Sequence, residues 1–302
     1  MNAQSIFYTI KQYGASGDGV TIDSPAVQKA INACSEAGGG TVYCPPGRYK
    51  LGAIQIKSGV DLHIEAGATL IASTDRSLYP PVVLDGSVVN TLNYSAEHFI
   101  WAKDADTIAI TGRGVIDGNG REFFGDFDSF NNVFKIKTWR PMQMIAFFEC
   151  KNVLMEGVTV VDSPGWAIWP FSCENVVIRG ISIRNNRVGP NTDGIDPDCC
   201  QSVRISDCHI DAGDDCIALK SSNEKNNTKR LCENITVTNC VLRTSKCAIR
   251  VGYEGDGVIR NCAFSNLVMF DTRTGINMLI AYHPEVGIHH GPQIENISFS
   301  NI

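Results

Sequence analysis

Five segments of the chain align on isoleucine, at Ile168, Ile195, Ile217, Ile249 and Ile276, with steps of 27, 22, 32 and 27 residues. The phrases around them are KNVLMEGVTVVDSPGWAIW, ENVVIRGISIRNNRVGPNTDGID, QSVRISDCHIDAGDDCIAL, ENITVTNCVLRTSKCAIRV and GVIRNCAFSNLVMFDTRTGINML. Self-similarity at about 20–50 residues marks a solenoid, because one repeat cannot bury its apolar face without stacking on the next. The runs are β-branched and lack helical spacing, so each repeat supplies short strands to parallel sheets. The chain is therefore predicted to be all-β, a single-domain right-handed parallel β-helix. Asn152, Asn175, Asn234 and Asn296 recur at one corner of the repeat, as an asparagine ladder would.

Two of these repeats carry acids in register. NTDGIDPD (191–198) places Asp193 two residues before Ile195, and GDDCIALK (213–220) places Asp215 two residues before Ile217. If both segments are rungs of one sheet, the two carboxylates stack about 4.8 Å apart, with Asp214 beside them. Carboxylates that close cannot all stay ionised comfortably, so at least one pKa rises. An acid–base hydrolase needs that condition. A single Asp-Gly would read as turn chemistry, but three acids in register with apolar partners point to a site. Adjacent strand residues face opposite ways, so Asp214 and Asp215 share a groove only at a bulge or strand end.

Residues on the same rungs are candidate substrate contacts: Asn191, Lys220, Lys246, Arg250, Asn277 and Trp166. Lys220, Lys246, Arg250 and Arg273 would present cations to a sugar acid; solvated edge charge is the better reading of any one of them, and Arg250, one residue past Ile249, is the best candidate of the four. Trp166 and Trp169 would stack on a sugar ring, with the interior having a claim on at least one. His289 and His290 read as loop histidines, either hydrogen-bonded or facing solvent.

With 43% hydrophobic and 19% charged residues, the composition is that of an ordinary folded protein. A net charge of −6 argues against nucleic acid as a partner. No apolar run reaches the roughly 18 residues of a membrane helix, so no membrane partner is expected. Twelve cysteines include no metal-type Cys-x-x-Cys pair. Cys150, Cys173, Cys200 and Cys232 open similar phrases, and Cys208, Cys240 and Cys262 follow in SDCHI, TNCVL and RNCAF. Cysteines recurring at one place in a repeat are predicted to be reduced, buried column residues. In particular, Cys208, Cys240 and Cys262 are expected in one column. The N-terminus lacks a basic start followed by an apolar run, which with free thiols suggests a cytoplasmic location. A trimmed N-terminus would instead allow a secreted protein.

Organisation along the chain follows the repeat. Residues 1–73 read as an N-terminal cap and first coils, 74–141 as coils with long loops, and 142–302 as regular coils carrying the site. The cap is a helix: Asp23 and Ser24 are N-cap candidates, Pro25 opens the first turn, and Gly38–Gly40 stop it. Its apolar face is predicted to be Val27, Ala30, Ile31 and Ala33, plugging the open end of the stack. The stretch REFFGDFDSFNNVFKIKTWRP (121–141) is rich in phenylalanine and either walls a cleft or packs. At the other end, GPQIENISFSNI begins another rung and stops, so either the chain is shorter than its relatives or something, such as a second copy, covers that end.

From Ile6 to Ser73 the sequence resembles the start of the pectate-lyase-like β-helix superfamily. NTDGIDPD and GDDCIALK, with SPGWAIWPFSCENV and GVIDGNG, resemble glycoside hydrolase family 28, the polygalacturonase family, over nearly the whole chain. The resemblance implies hydrolysis of a pectin-related polysaccharide with inversion. Asp214 would be the general acid, Asp193 and Asp215 would activate water, and no metal or organic cofactor is required. The family's Gly-His-Gly motif is replaced by SKCAIRVG, putting Cys247 where its histidine falls, and its Arg-Ile-Lys motif by Asn277 and Leu279. Those departures bear on the galacturonate carboxylate rather than on the aspartates. Two other readings remain: a lyase or epimerase, which needs a Lys or Arg base and often calcium, and a non-catalytic carbohydrate-binding helix.

Overall fold

A computed structural model describes residues 7–84, 94–222, 231–282, 284 and 290–302. Its strands stack coil upon coil into parallel sheets. One sheet has ten strands, running from Phe7–Thr9 through Gly40–Cys44 and Lys151–Glu156 to Gln293–Ser300. A second begins at Asp18–Ile22 and reaches His209–Ala212 and Val241–Gly255; a third contains Ile54–Gln55, Ile100–Lys103, Gln143–Phe148 and Trp166–Phe171. The third face continues beyond its regular strands by single bridges. Ile168 pairs with Ile195 and Ile195 with Ile217, then Ile217 with Ile249 and Ile249 with Ile276. The five anchors form one column, as predicted.

Side chains alternate in and out along each strand, so Val153, Val176, Val203 and Ile235 stack inside the first sheet, with Met155, Ile178, Ile205 and Val237 two residues on. Each such residue contributes about 1.5–3 kcal/mol by leaving water. The corners need left-handed backbone, which asparagine tolerates. Asn152, Asn175, Asn234 and Asn296 all have positive φ. Asn175 bonds Asn152 at 2.6 Å, Asn261 bonds Asn234 and Asn296 bonds Asn261. Asn261 was not anticipated. Nor was a second ladder at the opposite corner, where Asn239, Asn266 and Asn301 bond in series.

These corners explain a correction to the cysteine pattern. Cys150, Cys173, Cys200 and Cys232 do stack, and all twelve thiols are free and buried. Cys208 lies beside Cys240, but the next place in that column is Leu267. Cys262 instead stands in register with Ile235. The Asn-Cys of TNCVL turns one corner and that of RNCAF turns the other, so identical dipeptides feed different sheets.

The N-terminal helix, α1, spans Ser24–Glu36 and lies over the first strands. Its buried residues are Ala26, Val27, Ala30, Ile31 and Cys34, so Cys34 takes the place expected of Ala33. Asp23 occupies the N-cap position, but neither candidate's side chain caps the helix. The Asp23 carboxylate accepts from the backbone N–H of Ser16 and Gly17, and Ser24 Oγ accepts from Gly52 N–H. Both side chains tie the helix to neighbouring coils instead. At the opposite end, Val268, Phe270, Ile276, Met278 and Ile280 remain exposed.

Candidate active site

The site forms where two coils turn into the third face. Asp193 precedes the bridging Ile195, while Asp214 and Asp215 lie in the turn between His209–Ala212 and Ile217–Ser221. Neither of the adjacent aspartates sits inside a strand, so both reach the same side, as the strand-end condition required. Backbone bonds lock the rungs together: Gly194 N–H to Asp215 O at 2.8 Å and Cys216 N–H to Cys247 O at 2.9 Å. One carboxylate oxygen from each of Asp193, Asp214 and Asp215 lies within 4.8 Å of the others. A cation could bridge such a cluster, but acids alone do not make a metal site.

Glycines permit the approach. A Cβ on Gly213 would lie 2.2 Å from Asn186 O and Thr192 Oγ1, and one on Gly194 would lie 2.4 Å from Cys216 O. Thr244 Oγ1 donates to Asp214 O and anchors the turn from the next coil. Asn185, buried, donates to the carbonyls of Thr192 and Asp193.

Burial and crowding act together on the acids. Burial first, then the Asp215 charge, raises Asp214 to about 6, against the opposing pull of Lys246, Lys220 and Arg250. Burial, with Asp196 and Asp214 nearby, pushes Asp193 well above the ordinary range. Asp215 is the partner of Arg250, which donates Nε to one carboxylate oxygen and Nη2 to the other at 3.1 Å.

The predicted contacts fall into two groups. Asn191, Lys246 and Arg273 line a cleft of about 450 Å³ with Asp214, walled opposite by Asn131, Asn132 and Val133. That wall is the tip of an antiparallel hairpin, Phe124–Asp128 with Val133–Ile136, so the phenylalanine-rich stretch does wall a cleft. Lys246 and Arg273 are exposed. Among the described residues, neither head group has a hydrogen-bond or ion-pair partner. Asn277 is half-buried beside Arg250 on the following coil.

Two expectations are corrected, the stacking tryptophans and Lys220. Trp166 is 1% exposed, with the Lys220 ammonium 4.1 Å from its ring centroid, so it offers no face to a sugar. Trp169 is likewise buried, its Nε1 donating to Asp198 at 3.3 Å. Lys220 is neither a substrate contact nor an edge charge: it is 1% exposed and paired with Glu254 at 2.9 Å. Burial opposes its charge, but Glu254, Asp196 and Asp193 outweigh burial and raise its pKa. Arg250, the remaining predicted cation, is paired with Asp215 and keeps 17% of its side chain exposed, so its place as a substrate contact stays a proposal. His289 lies outside the described residues, and His290 is exposed.

Sequence reasoning missed several residues here. Asp196 is fully buried among Lys220, Glu254 and the other acids, and burial raises its pKa strongly; the second acid of NTDGIDPD was its available signal. Arg140 donates to Pro164 O, Pro190 O and Asn191 Oδ1 and so holds the Asp193 turn. Its burial pulls its pKa down to about 10, with Asp193 and Asp214 opposing. Nothing local links it to a turn some fifty residues later. Glu254 likewise shows its role only through Lys220.

Comparisons with known proteins agree with this geometry. The family model for glycosyl hydrolases family 28 matches residues 34–302. A probable polygalacturonase of Vitis vinifera is 29% identical over 96% of this chain, which spans 59% of that protein's length. An endo-polygalacturonase of Pectobacterium carotovorum subsp. carotovorum is 26% identical over 91% of this chain and 69% of its own. Among solved structures, a hyperthermoactive exopolygalacturonase from Thermotoga maritima superposes with a TM-score of 0.84 at 28% identity, covering 98% of this chain and 76% of that one. With the parallel coils, the aspartate cluster and a match over most of its length, this chain belongs to glycosyl hydrolases family 28.

Proposed function

We propose that the protein hydrolyses a pectin-related polysaccharide with acidic sugars, with Asp214 as general acid and Asp193 and Asp215 flanking the attacking water. The observation that carries this is one carboxyl raised to about 6, within 4.8 Å of two others, opening on a cleft with two cations unpaired among the described residues. A protonated Asp214 can deliver a proton to the leaving oxygen, a contribution of about 10²–10⁴ in rate. Lys246 and Arg273 lie on Asp214's side of the site, where a sugar carboxylate would find partners that Asn277 and Leu279 do not supply. The polygalacturonase relatives support the same substrate class.

A site of two carboxylates this close would be read as retaining, since inverting pairs stand about 6.5–9.5 Å apart. Three acids change the count: two can share one water while the third protonates the sugar oxygen. We therefore keep inversion as the proposed outcome. Twelve buried, free thiols support a reducing, cytoplasmic location, and the described residues include no helix long and apolar enough to cross a membrane. The exposed apolar side chains of Val268–Leu279 support self-association at that end, which sedimentation would test.

The test is a panel of homogalacturonan, rhamnogalacturonan and neutral oligosaccharides, scored for new reducing ends, with the first-formed anomer read by proton NMR. Cleavage of an acidic member with inversion is expected. The Lys246→Ala/Arg273→Ala protein should lose about 10-fold or more on it, roughly 1.4 kcal/mol of binding to the transition state. Products with a new carbon–carbon double bond would replace hydrolysis by elimination. A retained anomer would make one carboxylate the nucleophile.

A further inference from the structure

Three carboxylates in one cluster leave open which is charged and which carries the proton. One side chain breaks that symmetry by direct contact. Among the described residues, the cation in ion-pair contact with the cluster is Arg250, on the strand Val241–Gly255, and it grips both oxygens of Asp215. The pair is largely dry, with side-chain exposures of 17% for Arg250 and 5% for Asp215. Asp214 has no side-chain hydrogen bond among the described residues, and Asp193 Oδ1 is buried without a partner.

The guanidinium is itself held. Its Cζ lies 5.3 Å from the centre of the Tyr253 ring. Tyr253 has a φ of 81°, a left-handed conformation unusual for a bulky residue. Backbone strain of this kind persists where the surroundings over-determine it, often at functional sites. Asn277, the residue in register with Arg250 on the following coil, adds no competing charge.

We propose that Arg250 is a positioning residue that divides the labour of the triad: it seats the negative charge on Asp215, making that carboxylate the base, and leaves the transferable proton on Asp214. The proposal rests on the acid–base reading given above. In turnover, Asp214 gives its proton to the glycosidic oxygen as the anomeric C–O bond to the leaving sugar breaks, while water loses a proton to Asp215 and its oxygen bonds the anomeric carbon. The two protons balance, and return of one from Asp215 to Asp214 resets the site. A bidentate fork holds a planar carboxylate in one orientation, which an ammonium cannot do.

The other charged or titratable groups facing Asp215 do not supply this function. Lys220 lies beneath the acids but is occupied by Glu254. Cys247, in the neighbouring rung, is a neutral thiol, pushed up to about 12 by burial and by Asp215. Cys216 is raised further by burial. Asp193 and Asp196 are acids themselves, Lys246 acts on Asp214 from the exposed side of the cleft, and Arg140, whose charge reaches Asp193 and Asp214, spends its hydrogen bonds on Pro164 O, Pro190 O and Asn191 Oδ1.

The experiment compares the native chain with Arg250→Gln and Arg250→Lys, measuring kcat and KM against pH on the best substrate of the panel. Removing the cation disfavours ionised carboxylates, so both limbs of the profile should move up by about one pH unit. At the former optimum, kcat should fall about 100-fold with KM changing less than about 3-fold. Arg250→Lys should restore the pH position but not the full rate, because charge returns without the fork. Unchanged limbs with a KM raised only on acidic substrates would overturn the proposal and make Arg250 a substrate contact. Titration of ¹³C-labelled aspartate carboxyls by NMR gives a readout without turnover. If no glycan is ever cleaved yet the cluster titrates at higher pH in Arg250→Gln, the hydrolase reading fails and the electrostatic role of Arg250 stands. If the cluster titrates identically in all three folded proteins, the role of Arg250 is refuted.

Discussion

Replacing Lys220 with methionine probes the charge buried beneath the site. The ammonium lies 2.9 Å from Glu254 and 4.1 Å from the Trp166 ring centroid, with exposures of 1% and 5% for the ion pair. Methionine keeps most of the apolar stem, so the loss is chiefly electrostatic. Glu254 would then be buried with no cation, and Asp196 and Asp193 would lose the nearby positive charge that opposes their neutralisation. Breaking a buried pair from one side costs about 3–5 kcal/mol, because the remaining charge stays desolvated. A chain of 302 residues unfolds with an entropy of roughly 0.6 kcal/mol/K. Lys220→Met should therefore lose roughly 5–8 °C in Tm at pH 7, read by calorimetry. Lys220→Met/Glu254→Met removes both charges and should recover most of that loss, since an apolar pair of similar volume is often neutral. A single variant within about 1 °C of the native protein, or a double variant no better than the single, would refute this reasoning.

With Asp214 raised to about 6, kcat/KM should fall about tenfold per pH unit above that value, as the general acid loses its proton; a flat profile to pH 8 would remove it from that role. The same shift bears on stability. The native state holds this proton more tightly than the unfolded chain, so the group's contribution falls as pH rises through about 4 to 6 and is constant beyond. Asp214→Asn should remove that slope as well as turnover. Thiol titration should find few reactive groups in the native protein and twelve after denaturation in the absence of reductant. Fewer than twelve would mean that some are bridged.

The backbone plan was legible because its causes are local. A coil must place an apolar residue inside at each anchor, and side-chain alternation fixes that position relative to its neighbours. Aligning Ile195 with Ile217 therefore sufficed to put Asp193 and Asp215 on adjacent rungs, and the turn glycines let Asp214 join them. The asparagine corners followed from the same periodicity. Even there the dipeptide Asn-Cys was ambiguous: the repeat has two asparagine corners, and Cys262 turned out to follow the other one.

The chain's own order thus determined the β-helix, its register and the three acids, since each depends on residues a few positions from an anchor. Only the tertiary structure decided what the long side chains do. Lys220 could have ended in solvent or beneath the acids, and Glu254, 34 residues later, sets it beneath them. Arg250 could have faced a ligand, but Asp215 on the preceding coil, 35 residues earlier, claims its fork. Trp166 is buried in a cluster with Met142, Phe148 and Trp169, and that same Lys220 closes over its ring. A flexible charged or aromatic side chain spans several ångströms from its Cα, so its partner is chosen by the packing of neighbouring coils, information that no short stretch of sequence contains.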